Sequence, residues 1–299
     1  MSDLFFISQF ETYLVSEKKV SLHTATAYLN DLKQCLAYLE KEMDINDVQS
    51  ITHLHIKSWL ANLMLNKMNA SSVNRKLSAI KTYYKYLIRH QLVTLNPMLK
   101  VTAPKMSKKL PTFINETKVE EIYEKEGMNA SETDSDTAIT MANAIFSTLY
   151  QTGVRLNELI NLKKTNVDID RATIKVLGKR NKERIIPITE ELKSILQPYL
   201  LEYPESEWVF NTQKGQKLYP NYVYRVVKNL LNQYTTLKKK SPHVLRHTFA
   251  THMLNGGSDL NAIKELLGHA NLSATQIYTH NSIDRLKEVY NKAHPKGKE

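Results

Sequence analysis

Residues 241–280, SPHVLRHTFATHMLNGGSDLNAIKELLGHANLSATQIYTH, read as three short helical segments, each with a chemically active side chain at or near one end. Ser241 offers a capping hydroxyl and Pro242 a ring suited to the first helical position, while Asn255-Gly256-Gly257 stops the helix that these two residues open. A helix from about Pro242 to Leu254 is predicted. At about 100° per residue, Leu245, Phe249 and Met253 form an apolar stripe, and His243 and Arg246, three apart, project together from its flank. The stripe packs, and the flank reaches a ligand. Ser258 opens a second helix over Asp259–Leu267, and Gly268 supplies the left-handed residue that ends it, so His269 comes directly after a rigid stop. Ser273 caps a short third segment carrying Tyr278.

Composition bounds the rest of the chain. A length of 299 residues suggests about two domains, each with its own core. Lys and Arg number 41 against 30 Asp and Glu, for a formal net charge of +11. Residues 1–100 hold 12 basic and 8 acidic side chains, which leaves +7 for the remainder, so both parts are basic. An extended polyanion touched by both domains fits that spread better than a membrane surface does, because membrane binders concentrate charge on one amphipathic face. A merely soluble basic protein fits the charge equally well. One cysteine, Cys35, excludes an intramolecular disulfide and a cysteine-rich metal site, and its place between Leu32, Leu36 and Leu39 predicts burial. The chain shows neither a signal peptide nor a long apolar run, so the reading is cytoplasmic, with no membrane insertion.

Within the first hundred residues, amphipathic helices are predicted over Asp3–Glu17, Ser21–Lys41, Thr52–Lys67 and Ser71–His90, the second and fourth opening on serine caps. In the last of these, Val73, Leu77, Ile80, Tyr84 and Leu87 make the core stripe, with Arg75, Lys76, Lys81 and Lys85 largely off it. Leu99–Thr112, LKVTAPKMSKKLPT, lacks periodicity and reads as a basic linker. Beyond it, Ala138–Tyr150 is an apolar helix ended at Thr152-Gly153, and Val154-Arg155-Leu156-Asn157-Glu158-Leu159 starts another. Arg155 at that helix start could aim its planar fork at a phosphate, although pairing with Glu158 at i+3 is the plainer reading. Ala172–Leu177 and Glu183–Ile188 read as strands around the basic tip Gly178–Lys182, where Lys179 is either solubilising or a general acid. A helix over Asn221–Gln233 exposes Arg225 and Lys228, and Lys238-Lys239-Lys240 precede Ser241.

HVLRHTFATHML, LLGHA and TQIYTH, in this order and at these intervals, resemble the carboxy-terminal signature of tyrosine recombinases, in particular the bacterial Xer group. TATAYLNDL, SVNRKLSAIKTYYKYL and NPML are similar to that group's core-binding domain, so the resemblance runs from about Ile7 to Pro295. It implies a mainly α protein of two domains: a SAM-like helical core-binding domain over 1–98, a linker over 99–112, and an α+β catalytic domain with a small antiparallel sheet over 113–299. It matches Arg155 to the first arginine of T-G-x-R-x-x-E-L, Lys179 to the hairpin lysine, His243 and Arg246 to H-x-x-R, His269 to L-G-H and Tyr278 to the nucleophile. Two departures are Asn157, where the family often has serine, and the acidic loop Gly127–Asp136, which lacks the usual Arg-Asp pair.

Those six side chains have the chemistry that reversible phosphodiester cleavage requires. Tyr278 would attack phosphorus, Arg155 and Arg246 would hold the non-bridging oxygens, and Lys179 would protonate the leaving 5′ oxygen. His243 is suited to take the tyrosine proton and His269 to donate to a phosphate oxygen. No ATP, metal or other cofactor is required. Phosphate contacts are expected from Arg75, Lys76, Lys81, Arg225, Lys238, Lys239 and Lys240. The expected partner is a double-stranded DNA recombination site on the nucleoid. By resemblance it is bound by a homo- or hetero-tetramer with a related recombinase, which exchanges strands through a Holliday junction. The role implied is chromosome-dimer resolution, with a septal DNA translocase as a candidate activator. Ile283, Leu286, Val289 and Tyr290 make an apolar stripe expected to dock on the neighbouring protomer. The readings left open are a phage or mobile-element integrase, a type IB topoisomerase-like relaxing enzyme, a non-enzymatic architectural DNA-binding protein and a metal site on His243 and His247.

Overall fold

The computed structural model describes residues 5–105, 112–126, 141–178, 182–202, 205–268 and 280–297. The chain divides into two compact units, Met1–Lys109 and Leu110–Glu299.

The first unit is helical: α1 (Ile7–Thr12), which runs on as a π-helical turn over Tyr13–Glu17, α2 (Leu22–Met43), α3 (His53–Leu65) and α4 (Ala70–Arg89). Its helices arise from apolar spacing of three and four. Leu29, Leu32, Leu36 and Leu39 on α2 face Val73, Leu77, Ile80, Tyr84 and Leu87 on α4, and all of them are buried. Cys35 lies among them as expected, its thiol pushed up by burial. Ser21 caps α2 by accepting from the Thr24 amide at 3.2 Å. The cap of α4 is not a serine. Asn69 accepts from the Ser72 amide at 2.9 Å, because asparagine two residues earlier reaches the same orphan donor. Past the end of α4 the chain stays on this unit well beyond Leu99: Val101 is buried, and Asn74 Nδ2 donates to the Pro104 carbonyl at 3.1 Å.

The second unit is built around α6 (Met141–Thr152), which is buried on every side from Asn143 to Thr152. A helix with so little polar face can only be central. Around it lie α5 (Glu116–Lys125), α7 (Leu156–Ile160), α8 (Glu190–Glu202), α9 (Pro220–Tyr234), α10 (Pro242–Asn255), α11 (Leu260–Leu267) and α12 (His280–Ala293). A three-stranded antiparallel sheet completes the described residues, ordered β1 (Val167–Asp168), β2 (Thr173–Leu177) and β3 (Glu183–Pro187). The hairpin register pairs Leu177 with Glu183 and Val176 with Arg184. Polar groups in this core are matched to one another. Tyr150 Oη lies 3.0 Å from His252 Nδ1, His252 Nε2 lies 2.8 Å from the Ile114 carbonyl, and Gln151 Nε2 donates to Tyr123 Oη at 3.0 Å.

Helix α12 corrects one expectation. Instead of being left for a neighbour, it packs on its own chain: Leu286 and Ala293 are buried, and Tyr290 is fully buried with its hydroxyl donating to the Gln151 carbonyl at 2.9 Å. The side chain of Ile283 lies outside the described residues. The reason is steric fit at the end of α10. A Cβ on Gly256 would stand 2.1 Å from the Ala293 carbonyl oxygen, so glycine there lets the two backbones touch. His294, directly after α12, is fully buried, and burial pushes its imidazole down to about 3.

Candidate active site

Two helix stops and one helix start bring the site together. Helix α6 ends at Gly153, whose φ of +59° and contact with Phe249 and Leu267 leave no room for a Cβ. Helix α7 then starts from Arg155, and the Glu158 carboxylate accepts from the Arg155 amide at 2.7 Å, filling one orphan donor of the first turn. Helix α11 ends at Gly268 in the left-handed region, φ +64°. Asp259 caps its start, accepting from the Asn261 and Ala262 amides. Ser258, the cap expected from sequence, has its hydroxyl buried instead. The Ser241 hydroxyl likewise caps nothing, and α10 starts on Pro242 alone.

Arg155 and Arg246 converge on these stops. Arg155 Nη1 pairs with Glu158 Oε1 at 2.8 Å and Nη2 donates to the Gly268 carbonyl at 3.1 Å. The i+3 pairing is therefore present, and it orients the guanidinium without removing it from use, since Arg155 stays partly exposed. Arg246 is buried and donates to the Gly153 and Leu267 carbonyls. Burial, then the charges of Arg155 and Arg184, push its guanidinium down to about 9, so it remains charged at neutral pH. Beside it on α10, His243 is exposed. Partial desolvation and the charges of His247, Arg246 and Arg155 lower its imidazole below the usual histidine range, which favours the neutral, proton-accepting form.

A third arginine was missed in the sequence. Arg184 on β3 is 4% exposed and forks onto Glu158, with Nη1 to Oε1 and Nη2 to Oε2 both at 2.8 Å, while Nε donates to the Leu266 carbonyl at 2.7 Å. The signal was available in the alternation of ERIIP, which puts Arg184 on the same inward face as Ile186. Burial alone would raise the Glu158 carboxyl. The hydrogen bonds and charge of Arg184, with donation from Arg155, outweigh it and hold Glu158 at about 2. Three guanidiniums thus surround one carboxylate, an excess of positive charge in a part-buried place. Such an excess is the electrostatic signature of a site for an anion.

Lys179, His269 and Tyr278 lie outside the described residues; in sequence Lys179 follows Gly178, His269 follows Gly268, and Tyr278 comes two residues before His280, where α12 starts. Of the other basic residues singled out, Arg225, Lys228, Lys238 and Lys239 are exposed and Lys240 is partly so. In the first unit Arg75 is exposed in part and Lys81 is half-buried. Lys76 departs from expectation. It is 4% exposed, its ammonium 2.9 Å from buried Asp31 and bonded to Gln34, so it belongs to an internal ion pair rather than to the solvent-facing bases.

The model of the phage integrase family matches residues 113–285, and that of the phage integrase N-terminal SAM-like domain matches residues 7–91. Tyrosine recombinase XerC of Pelobacter propionicus is 38% identical over 98% of this chain and 96% of its own length. XerC of Leptospira interrogans serovar copenhageni is 38% identical over 96% and 92%. The chain belongs to the tyrosine recombinases. As a tyrosine recombinase it is an enzyme of site-specific DNA cleavage and religation, and the two-unit helical fold with its small sheet is that of the family. Among solved structures, XerH recombinase bound to palindromic difH shares the fold at a TM-score of 0.69, with 24% identity over 94% of this chain and 83% of that one. The Tn1549 transposon integrase in complex with transposon right-end DNA does so at 0.70, with 17% identity over 94% and 98%. No described helix of this recombinase is long and apolar enough to cross a membrane.

Proposed function

We propose that this recombinase cuts DNA by attack of Tyr278 on a phosphodiester, forming a 3′-phosphotyrosyl link that a 5′ hydroxyl from another strand reverses. The excess of guanidinium charge around Glu158 is the observation that carries this reading. Arg155, steered by Glu158 and the Gly268 carbonyl, and Arg246, steered by two carbonyls, take the non-bridging oxygens. Both are pre-aligned, so little reorganisation accompanies the change in charge at phosphorus. His243, held neutral, accepts the Tyr278 proton. Lys179 protonates the leaving oxygen, and His269, next in sequence to Gly268, donates to the phosphate. No step calls for ATP or a metal.

Strand exchange through a Holliday junction by a tetramer on two synapsed sites, alone or with a related recombinase, is the natural extension of this chemistry, since each cleavage frees a 5′ hydroxyl that can attack the phosphotyrosyl link on the partner strand. Arg75, Lys81, Arg225, Lys238, Lys239 and Lys240 contact phosphates along the site, and Lys76 supports them from inside. We infer chromosome-dimer resolution at cell division as the role, in the cytoplasm on the nucleoid; the similarity to XerC recombinases supports the reading. The test is a Tyr278→Phe variant, which should bind DNA as the wild type does yet give no adduct that survives denaturation. A denaturation-resistant adduct with the variant would remove Tyr278 from the role.

A further inference from the structure

Arg184 touches no position where substrate is expected, and yet it joins the mounts of three groups that should. Its fork on Glu158 holds α7 at the carboxylate that also receives the Arg155 amide and guanidinium. Its Nε holds the last turn of α11 through the Leu266 carbonyl. Gly268 lies flat on its side chain: a Cβ there would stand 3.1 Å from Arg184 Cδ and Nη1, in a backbone already at positive φ. The Gly268 carbonyl accepts from Arg155, and His269 is the next residue. On the sheet, Gly178 sits against the same ion pair, a Cβ placed on it being 3.6 Å from both Arg184 Nη1 and Glu158 Oε1. Its amide donates to the Lys182 carbonyl at 2.8 Å, and Lys179 is the next residue in the chain.

A buried Arg184–Glu158 ion pair, its guanidinium opposite Val176 on the apolar face of a strand, is an expensive way to fill space, and hydrophobic side chains of similar volume in place of both partners would serve stability as well or better. A hydrophobic side chain could not, however, fix a direction. A planar fork with a third donor at Nε fixes the relative orientation of a carboxylate and a carbonyl on different elements. We propose that Arg184 is a positioning residue for the reaction, setting the register between the α7 start that carries Arg155, the turn that leads to His269 and the hairpin that carries Lys179. This rests on the catalytic reading of those three residues.

The experiment measures DNA affinity and chemistry separately, on a nicked duplex on which the wild-type chain forms its covalent adduct. For Arg184→Met, the Kd should stay within about twofold, while single-turnover adduct formation at saturating protein falls on the order of 100-fold, the penalty for displacing reacting groups by about 1 Å. Arg184→Lys keeps the buried charge but loses the fork, and it should recover only part of the rate. Ile186→Val, on the same face of β3, removes a buried methylene and should lower Tm with a wild-type rate. Wild-type rates in both Arg184 variants overturn the proposal, as does a rate loss that only mirrors lost DNA affinity or that Ile186→Val reproduces at equal loss of Tm. If the wild-type chain forms no adduct on any duplex, the catalytic reading falls and the proposal falls with it. A wild-type adduct with unimpaired Arg184 variants sinks the positioning role alone.

Discussion

Replacing Glu158 by glutamine keeps the shape of the side chain and one acceptor oxygen but removes the negative charge with which Arg155 and Arg184 pair and which Arg246 also feels. Glu158 is 4% exposed and held at about 2, against an ordinary carboxyl near 4.5. At about 1.4 kcal/mol for each tenfold change in proton affinity, that gap corresponds to about 3 kcal/mol of stability at pH 7. The low end of the range for breaking a buried ion pair, about 3–5 kcal/mol, agrees. In a unit the size of the second one, this is a fall in Tm of roughly 6–12 °C. A depressed carboxyl contributes its full stabilisation above its ordinary pKa and loses it as pH falls toward the folded value. The difference between wild type and Glu158→Gln should therefore be complete at pH 7 and begin to narrow below about pH 4.5, to about 2 kcal/mol at pH 3.5. Calorimetry at the two pH values reads both numbers. A difference that is equal at pH 7 and pH 3.5, or absent at pH 7, would refute the electrostatic account of this cluster.

Lys179→Ala should cleave ordinary DNA poorly and recover on a substrate whose leaving 5′ oxygen is replaced by sulfur, because a thiolate departs without a proton; equal defects on both make Lys179 a phosphate clamp instead. Tyr290→Ala removes a fully buried ring from the core of its own chain, so it should cost about 3–5 kcal/mol, with a Tm that does not depend on protein concentration. A concentration-dependent Tm would return α12 to docking between protomers. In the free protein, an NMR titration should place His243 below about 6.5 and His247→Gln should raise it, since the charge of His247 is one of those pressing it down; a wild-type value at or above 6.5 contradicts the proposed base.

The fold was legible where periodicity is strong. The α4 stripe and the α10 stripe of Leu245, Phe249 and Met253 are buried as their spacing requires, and the β2–β3 hairpin falls within a residue of its predicted strands. Caps were less so, because Asn69 and Asp259 lie within two residues of the serines chosen and sequence spacing cannot say which oxygen reaches the amide. Lys76 was assigned to solvent and Arg184 was passed over for one reason: the buried carboxylate that each pairs with, Asp31 or Glu158, lies 45 or 26 residues away in sequence. The placement of α12 could not be read from its stripe, since an apolar face looks the same to its own core as to a neighbour's. Gly256 was the local signal, and its meaning depends on Ala293, which only the folded chain brings against it.

The proposed nucleophile is tested at the bond it would form, between Tyr278 and DNA. The most direct measurement digests the adduct formed on nicked duplex DNA and identifies the nucleotide-bearing peptide by mass spectrometry. The expected product is a peptide carrying a nucleotide 3′-phosphate on Tyr278. A link at any other residue, or through a 5′-phosphate, would contradict this role for Tyr278.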